Sequence, residues 1–424
     1  MDIEAIAEKA QNIIDRETAT SPKIRKILST VKEFIKQNRV MCYGGTAINN
    51  LLPEKDRFYD PNYDVPDYDF YSETPQIHAM MLADEFYALG YKNIQVKPGS
   101  HLMTFKVFVD FTGIADITYL EPPIFRSLWN ENIHVDGLHY VTPNFLRMSM
   151  YLELSRPRGD VSRWSKVYKR LMLLNKHYPV GCKREDEEHD DYHSLTDESR
   201  EKIERLLTTK QVIMLGLHAM HLHSKSRSNV WELPLDLLVT PEHFEKYTDE
   251  FANVFKDKVK IVEHNAYAEL LPKHVDIIDI ETGYLVVRIF ETMACHSFHE
   301  MANGMRVASI PTLLQFFFAF VYADAHYLEG FDQNRIICIS QRLVDYANSD
   351  KQRRYELLTP LECMGHQETL VEMKEEASTL RAKTKKESND FLKLFFTYEP
   401  AKMNRTQKQK LRTRLRKTIK SESY

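Results

Sequence analysis

Four short stretches of this chain recur in the same order at a nearly constant distance, which constrains the fold more than any single motif does. VMCYGGTAIN at Val40 resembles VIMLGLHAMH at Val212, and YDVPDYDFY at Tyr63 resembles WELPLDLLV at Trp231. GIADITYLE at Gly113 has a counterpart in GYLVVRIFE at Gly283, and TPNFLRM at Thr142 in IPTLLQF at Ile310. The offsets are 172, 168, 170 and 168 residues. Each match is short, and coincidence among generic strand–turn–helix pieces is the alternative. Their shared order predicts an ancient duplication of one α/β unit, because a fixed period is the signature of an internal repeat. At 424 residues the chain has room for both copies.

Within the first copy the elements can be read from their periods. SPKIRKILSTVKEFIKQNR predicts a helix, with Ser21 as N-cap, Pro22 at the first helical position and one apolar stripe through Ile24, Ile27, Leu28, Val31, Phe34 and Ile35. Val40–Tyr43 has strand length, Gly44-Gly45 turns the chain, and TAINNLL begins a helix with Thr46 near its cap. DYDFYS alternates as a strand does, TPQIHAMMLADEFYALGY reads as a helix ending at Gly90, and MTFKVFVDF and GIADITYL predict two strands about a Thr112-Gly113 turn. Two helices are expected after Pro143. The fold class is therefore α/β (α+β), a mixed sheet with helices, followed by a second unit of the same kind. The expected boundaries are a helical segment over 1–38, a catalytic unit over 39–180, an acidic linker over 181–204, a second unit over 205–400 and a basic tail over 401–424.

The aspartates of YDVPDYDFY supply the candidate chemistry. Side chains alternate along a strand, so Asp67 and Asp69 share one face while Tyr68 and Phe70 take the other. Asp60 and Asp64 have the wrong parity. Two carboxylates on one face repel unless a cation bridges them, and hard oxygen ligands suit Mg²⁺ or Mn²⁺ carrying a nucleoside triphosphate. A two-metal site wants a third acid from a neighbouring strand. Asp116 shares a face with Ile114 and Thr118 and is preferred to Asp110, which stands next to the expected turn. Gly44 and Gly45 let backbone amides approach phosphate closely, and Thr46 adds a hydroxyl. Taken alone, the Gly-Gly pair reads equally well as an ordinary tight turn. Gly-Gly-Thr, then Asp-x-Asp, then a strand-borne acid is far more specific than any one part.

These residues resemble a family. YGGTAINN, VPDYDFY and GIADIT are similar to the signature of the DNA polymerase β-type nucleotidyltransferases, with wording nearest that of the poly(A) polymerase catalytic subunits of poxviruses and giant viruses. The resemblance implies a template-independent transfer of AMP from ATP to an mRNA 3′ end. It implies Asp67, Asp69 and Asp116 as ligands of two metals, and Gly44, Gly45 and Thr46 as the triphosphate cradle. A second, non-catalytic unit is also implied. The string matches place Leu235 and Leu237 where the first copy has Asp67 and Asp69, Val286 in place of Asp116, and Leu217 in place of Gly45, so the second copy is expected to be a scaffold. Expected partners are ATP, an RNA 3′ end, and either a second copy of the chain or a separate processivity subunit. The expected setting is the cytoplasm of an infected host, or the virion. Two rivals stay open: another RNA nucleotidyltransferase (CCA-adding or uridylyl-transferring), and a silent RNA-binding scaffold.

The remaining features point less sharply. RPRGDVSRWSKVYKR offers Arg158, Arg163, Lys166, Lys169 and Arg170. Lys166 is the preferred cation for the triphosphate, against a plain solvated basic helix. His218, His221 and His223, and separately Cys295, His296 and His299, complete no standard zinc pattern. Five cysteines, odd in number and widely spread, suggest no disulfide framework and a reducing compartment. No run of apolar residues is long enough to span a membrane. The net charge of -4 conceals nine Lys/Arg against one acid from Ala401 to Tyr424, a stretch that reads either as an RNA-gripping helix or as a disordered basic tag.

Overall fold

In the computed structural model the described residues are 2–183, 196–209, 211–224, 234–323, 333–349 and 360–420. Half of the acidic linker (184–195), Trp231 in the repeat, and the last four residues of the basic tail lie outside them. Contacts divide the chain into two compact units, residues 1–142 with 369–424, and residues 143–368.

Unit one is built on a seven-stranded sheet. Its strands are β1 (Met41–Tyr43), β2 (Tyr68–Ser72), β3 (Ile94–Pro98), β4 (Thr104–Val109), β5 (Thr112–Tyr119), β6 (Ile133–Val135) and β7 (Leu138–Tyr140), in the order β3-β4-β5-β2-β1-β7-β6. The helix Pro22–Gln37 buries Ile27, Val31, Phe34 and Ile35, the stripe its 3.6-residue period requires. The helix Pro75–Ala88 buries Ile77, Met80, Ala83 and Phe86 and packs on β3, β4 and β5. The chain turns between β4 and β5 at Asp110 and Phe111, both with positive φ (47° and 69°), rather than at Thr112-Gly113, which open β5.

The C-terminal residues complete this unit. Tyr398 exchanges two backbone hydrogen bonds with Val96 on β3. The basic segment forms a helix, Arg405–Lys420, with Leu415 buried against the unit. Lys408 and Arg412 both reach Asp84, at 2.6 and 2.8 Å. The described part of the tail thus includes an ordered helix held by its apolar positions and by one half-buried acid.

Unit two opens with the helices Pro143–Leu154 and Trp164–His177. It then builds its own sheet from β8 (Ile213–Leu215), β9 (Leu235–Val239), β10 (Val259–His264), β11 (His274–Asp279), β12 (Leu285–Glu291), β13 (His296–Glu300), β14 (Arg306–Ala308) and β15 (Cys363–Met364). The order is β10-β11-β12-β9-β8-β14-β13-β15. Apart from β15 this is the order of the first sheet, strand for strand. The parallel pairs correspond (β2 with β5 and β9 with β12; β1 with β7 and β8 with β14), and the other shared neighbours are antiparallel in both sheets. Even the irregularity repeats: β4 shifts register against β5 between Val107 and Phe108, and β11 shifts against β12 between Ile277 and Ile278. A shared order, shared directions and a shared bulge are what a duplication leaves behind.

The cysteines need a correction. Cys182 pairs with Cys338 and Cys295 with Cys363 as disulfides, leaving Cys42 as the buried free thiol. Their separations of 156 and 68 residues hide the pairing, because partners so distant are brought together only by the folded unit. No helix among the described residues is long and apolar enough to cross a membrane.

Candidate active site

Strand β2 carries one acid between two buried aromatics. Tyr68 and Phe70 face the core and Asp69 takes the other side. Asp67 lies just before the strand and is exposed. Asp69 stands directly across from Asp116 on parallel β5 and across from Tyr43 on antiparallel β1. Residues opposite one another on adjacent strands share a face, so Tyr43, Asp69 and Asp116 form a row. Lys106 on β4, opposite Asp116, extends it and bonds Asp116 at 2.5 Å. The strand alternation in TFKVFV puts Lys106 on that polar face, a signal present in the sequence itself. Asp110 is elsewhere, in the turn, paired with Lys23 at 2.6 Å.

The glycine turn closes over this row. Gly44 has φ +72° and opens the helix Gly44–Leu51, and a Cβ placed there would lie 2.5 Å from Asp69 Oδ2. Only a residue without a side chain allows both the left-handed backbone and so close an approach of the carboxylate. One turn into the helix, Thr46 donates its hydroxyl to the Asp67 carbonyl at 2.7 Å. The side chain of Asn49 accepts from the amides of Phe58 and Tyr59 at 2.9 and 3.0 Å, pinning the loop that leads to Asp67. The helix behind the glycines therefore holds the acids' approach segment in place. Burial and the Asp69 charge push the Cys42 thiol up to about 12 and raise the Tyr43 hydroxyl as well. Neither is a nucleophile here; Tyr43 instead hydrogen-bonds Thr118 at 2.8 Å and stacks on Tyr71.

Asp69 and Asp116, facing one another across β2 and β5, are hard oxygen donors of the kind divalent cations take, whereas Asp67 stands just before β2 and the three carboxylates do not close to within 4.8 Å of one another. Lys106 already holds a positive charge against Asp116, the charge such a cation would supply there. Gly45 is the second residue of the helix. Lys166 lies in unit two, exposed on the helix Trp164–His177. In the histidine clusters, Cys295 is spent in its disulfide, and burial lowers His218 and His223 to about 4 and His296 to about 3. His223 is hydrogen-bonded to the Ala308 carbonyl.

The second sheet carries the same row, with the acid beside the glycine turn kept and the next two charges exchanged. Asp236 lies opposite Leu215, the residue before Gly216, just as Asp69 lies opposite Tyr43, the residue before Gly44. Gly216 has φ +67°, and a Cβ there would collide with Asp236 Oδ2. Across β12, however, Asp236 faces Arg288, and Arg288 faces Asp276 on β11. Thus Asp236 corresponds to Asp69, Arg288 to Asp116, and Asp276 to Lys106. The expected counterparts Leu235, Leu237 and Val286 are buried on the opposite face or out of register. Matching strings missed by one residue on β9, where such a slip exchanges the faces of the strand, and by two residues on β12, where Val286 stands in for Arg288. Arg288 bonds Asp276 through Nε and Nη2 at 2.7 and 2.9 Å, and burial raises Asp236 to about 6 against the pull of Arg288. A guanidinium occupies the place where unit one offers an acid.

Sheet order, glycine turn and facing acids together define a nucleotidyltransferase-type fold. The chain covers 98% of its length against the crystal structure of the Megavirus polyadenylate synthase, with a TM-score of 0.74, 20% identity and 88% of that chain covered, a likeness of fold. Residues 29–160 match the family model of the poly(A) polymerase catalytic subunit. Over 160 residues the chain is 35% identical to a candidate poly(A) polymerase catalytic subunit of Acanthamoeba polyphaga mimivirus, covering 37% of this chain and 27% of that protein. Over 178 residues it is 32% identical to the corresponding protein of African swine fever virus (isolate Tick/Malawi/Lil 20-1/1983), covering 41% and 37%. The matched stretch thus spans about a third of the curated relatives' length. The family-model match covers Gly44, Asp67, Asp69 and Asp116, and the solved structure shares the fold.

Proposed function

We propose that this chain is a template-independent polynucleotide adenylyltransferase that extends mRNA 3′ ends with AMP from ATP. The supporting observation is the register that sets Asp69 against Asp116 beneath the Gly44 turn, within the stretch that matches the poly(A) polymerase model. Asp67, Asp69 and Asp116 are the residues that would hold two Mg²⁺ or Mn²⁺ ions, which when bound supply charge neutralisation at the triphosphate and acidify the RNA 3′-hydroxyl. The amides of Gly44 and Gly45 point the polyphosphate at these acids. Thr46 acts through its hydroxyl bond to Asp67 and offers its amide to the phosphates. Assigning Lys166 to the triphosphate rests on the sequence alone. Most of the catalysis is positioning and electrostatics rather than covalent chemistry by the protein.

On this reading the partners are ATP and an RNA 3′ end, with processivity supplied by self-association or by a separate subunit, in the cytoplasm of an infected cell. The test is extension of a labelled RNA primer by the purified chain with Mg²⁺ or Mn²⁺ and each nucleoside triphosphate separately. Long products with ATP alone support the proposal. A short CTP-dependent product supports the CCA-adding rival, UTP-dependent tails support the uridylyltransferase, and no incorporation supports the scaffold.

A further inference from the structure

The edge of the second sheet holds a side-chain group that the nucleotidyl-transfer reading does not use. His264 on β10 and His274 on β11 are directly paired across antiparallel strands, with stacked rings 4.6 Å apart. Asp276 follows His274 by two residues and so shares its face. One ligand atom from each of the three lies within 4.8 Å of the others, the one such trio among the described residues. His264 Nε2 and Asp276 Oδ2 are 3.3 Å apart. Two ligands of a tetrahedral zinc ion at bond lengths of about 2.0–2.1 Å stand about 3.3–3.4 Å from each other. That separation is already set.

We propose that His264, His274 and Asp276 form a transition-metal site of the zinc type, with a fourth position open to water. The surroundings are those such a site requires. His274 is fully buried with Nδ1 directed at the Pro272 carbonyl at 3.3 Å, a backbone bond that fixes the tautomer placing the lone pair on Nε2. Asp276 is anchored by Arg288 through both oxygens, each of which keeps a second lone pair, and a hydrogen-bonded carboxylate is the usual state of a ligating one. With Asp236 and Asp276 against Arg288, the pocket carries one net negative charge for the ion to meet. His264 is partly exposed, with 21% of its side chain accessible, and gives the ion its entry and its water. The equivalent positions of the first sheet, beside Asp116, are Lys106 and Thr104. The site is therefore peculiar to the second copy, and it ties edge strand β10 to β11 where the charge-exchanged row ends.

The experiment is a Co²⁺ titration of the full-length metal-stripped protein followed by visible absorption, with bound zinc counted by elemental analysis of the protein as purified. The Asp69→Asn/Asp116→Asn variant serves as background, because oxygen-rich octahedral sites absorb only weakly. The expected result is one intense tetrahedral cobalt band per chain, displaced by Zn²⁺, present in that background and absent from His264→Ala. His264→Cys should restore the band and add a sulfur-to-cobalt transition in the near ultraviolet, which a merely misfolded strand would not do. Absence of an intense band in the parent protein, or a band unchanged in His264→Ala, overturns the proposal.

Discussion

Replacing Gly44 by alanine tests the site's geometry at its tightest point. Gly44 has φ +72°, and the new Cβ would lie 2.5 Å from Asp69 Oδ2 where ordinary contact begins near 3.4 Å. The carboxylate must retreat by roughly 0.9 Å, or the turn must open by as much, and a displacement near 1 Å in a catalytic group costs about 10²-fold in rate. The left-handed backbone adds about 1–2 kcal/mol of destabilisation for any residue with a Cβ. Gly216 provides a matched control, because it has φ +67° and an alanine there collides with Asp236 in the same way. Primer-extension kinetics and thermal melting should be measured for both variants below their melting temperatures. Both should melt lower than the parent, and only Gly44→Ala should lose about 10²-fold in kcat. A folded Gly44→Ala with kcat within a few-fold of the parent refutes the argument. So does a folded Gly216→Ala that loses as much.

Other consequences follow from the same row of residues. Asp116→Ala should remove ATP-dependent extension, whereas Asp64→Ala, whose carboxylate bonds the Asp60 amide in the exposed loop, should retain most of it in the same assay. Lys106→Gln removes the cation that competes for Asp116, so the Mg²⁺ concentration for half-maximal activity should fall; an unchanged or raised value would show that Lys106 does not compete. In the C-terminal helix, Lys408 and Arg412 are committed to Asp84 and Leu415 is buried, so deleting the helix would disturb unit one as well as any RNA contact. Neutralising the exposed Lys410, Arg416 and Lys417 together is the cleaner change. It should flatten the dependence of log primer affinity on log salt by up to about 2 in slope, each phosphate contact contributing about 0.7 on single strands. An unaltered slope would remove those three residues from the RNA interface.

What could be read from the sequence was whatever depended on local period. The helix after Ser21, the strand–glycine–helix at Met41–Leu51 and the placing of Asp69 on the face opposite Tyr68 and Phe70 all follow from spacing within one element or from the two-residue period of a strand, whereas the meeting of Asp69 with Asp116 needs the register of β2 against β5. The duplication was visible as order and offset. Its chemistry was not, because identifying Asp236 and Arg288 as counterparts of Asp69 and Asp116 needs the strand register, and similarity between short strings does not fix register to one residue. The same limit hid His264, His274 and Asp276, which meet only once β10 and β11 are paired. Cys182–Cys338 and Cys295–Cys363 are long-range for the same reason. Unit one is discontinuous, with Tyr398 returning to pair with Val96, and a reading that proceeds along the chain has no signal for such a return.

The central claim is that, of two aspartates in equivalent places on two equivalent sheets, one performs the chemistry and the other does not. The direct measurement is single-turnover ATP-dependent primer extension by Asp69→Asn and by Asp236→Asn, each compared with the parent at saturating metal. Removing a metal-holding carboxylate should cost about 4 kcal/mol of transition-state stabilisation, or about 10³-fold in rate. Asp69→Asn should show that loss, while Asp236→Asn, beside an arginine that excludes the metals, should stay within a few-fold of the parent. Near-parental turnover in Asp69→Asn, or an equal loss in a folded Asp236→Asn, would contradict the account.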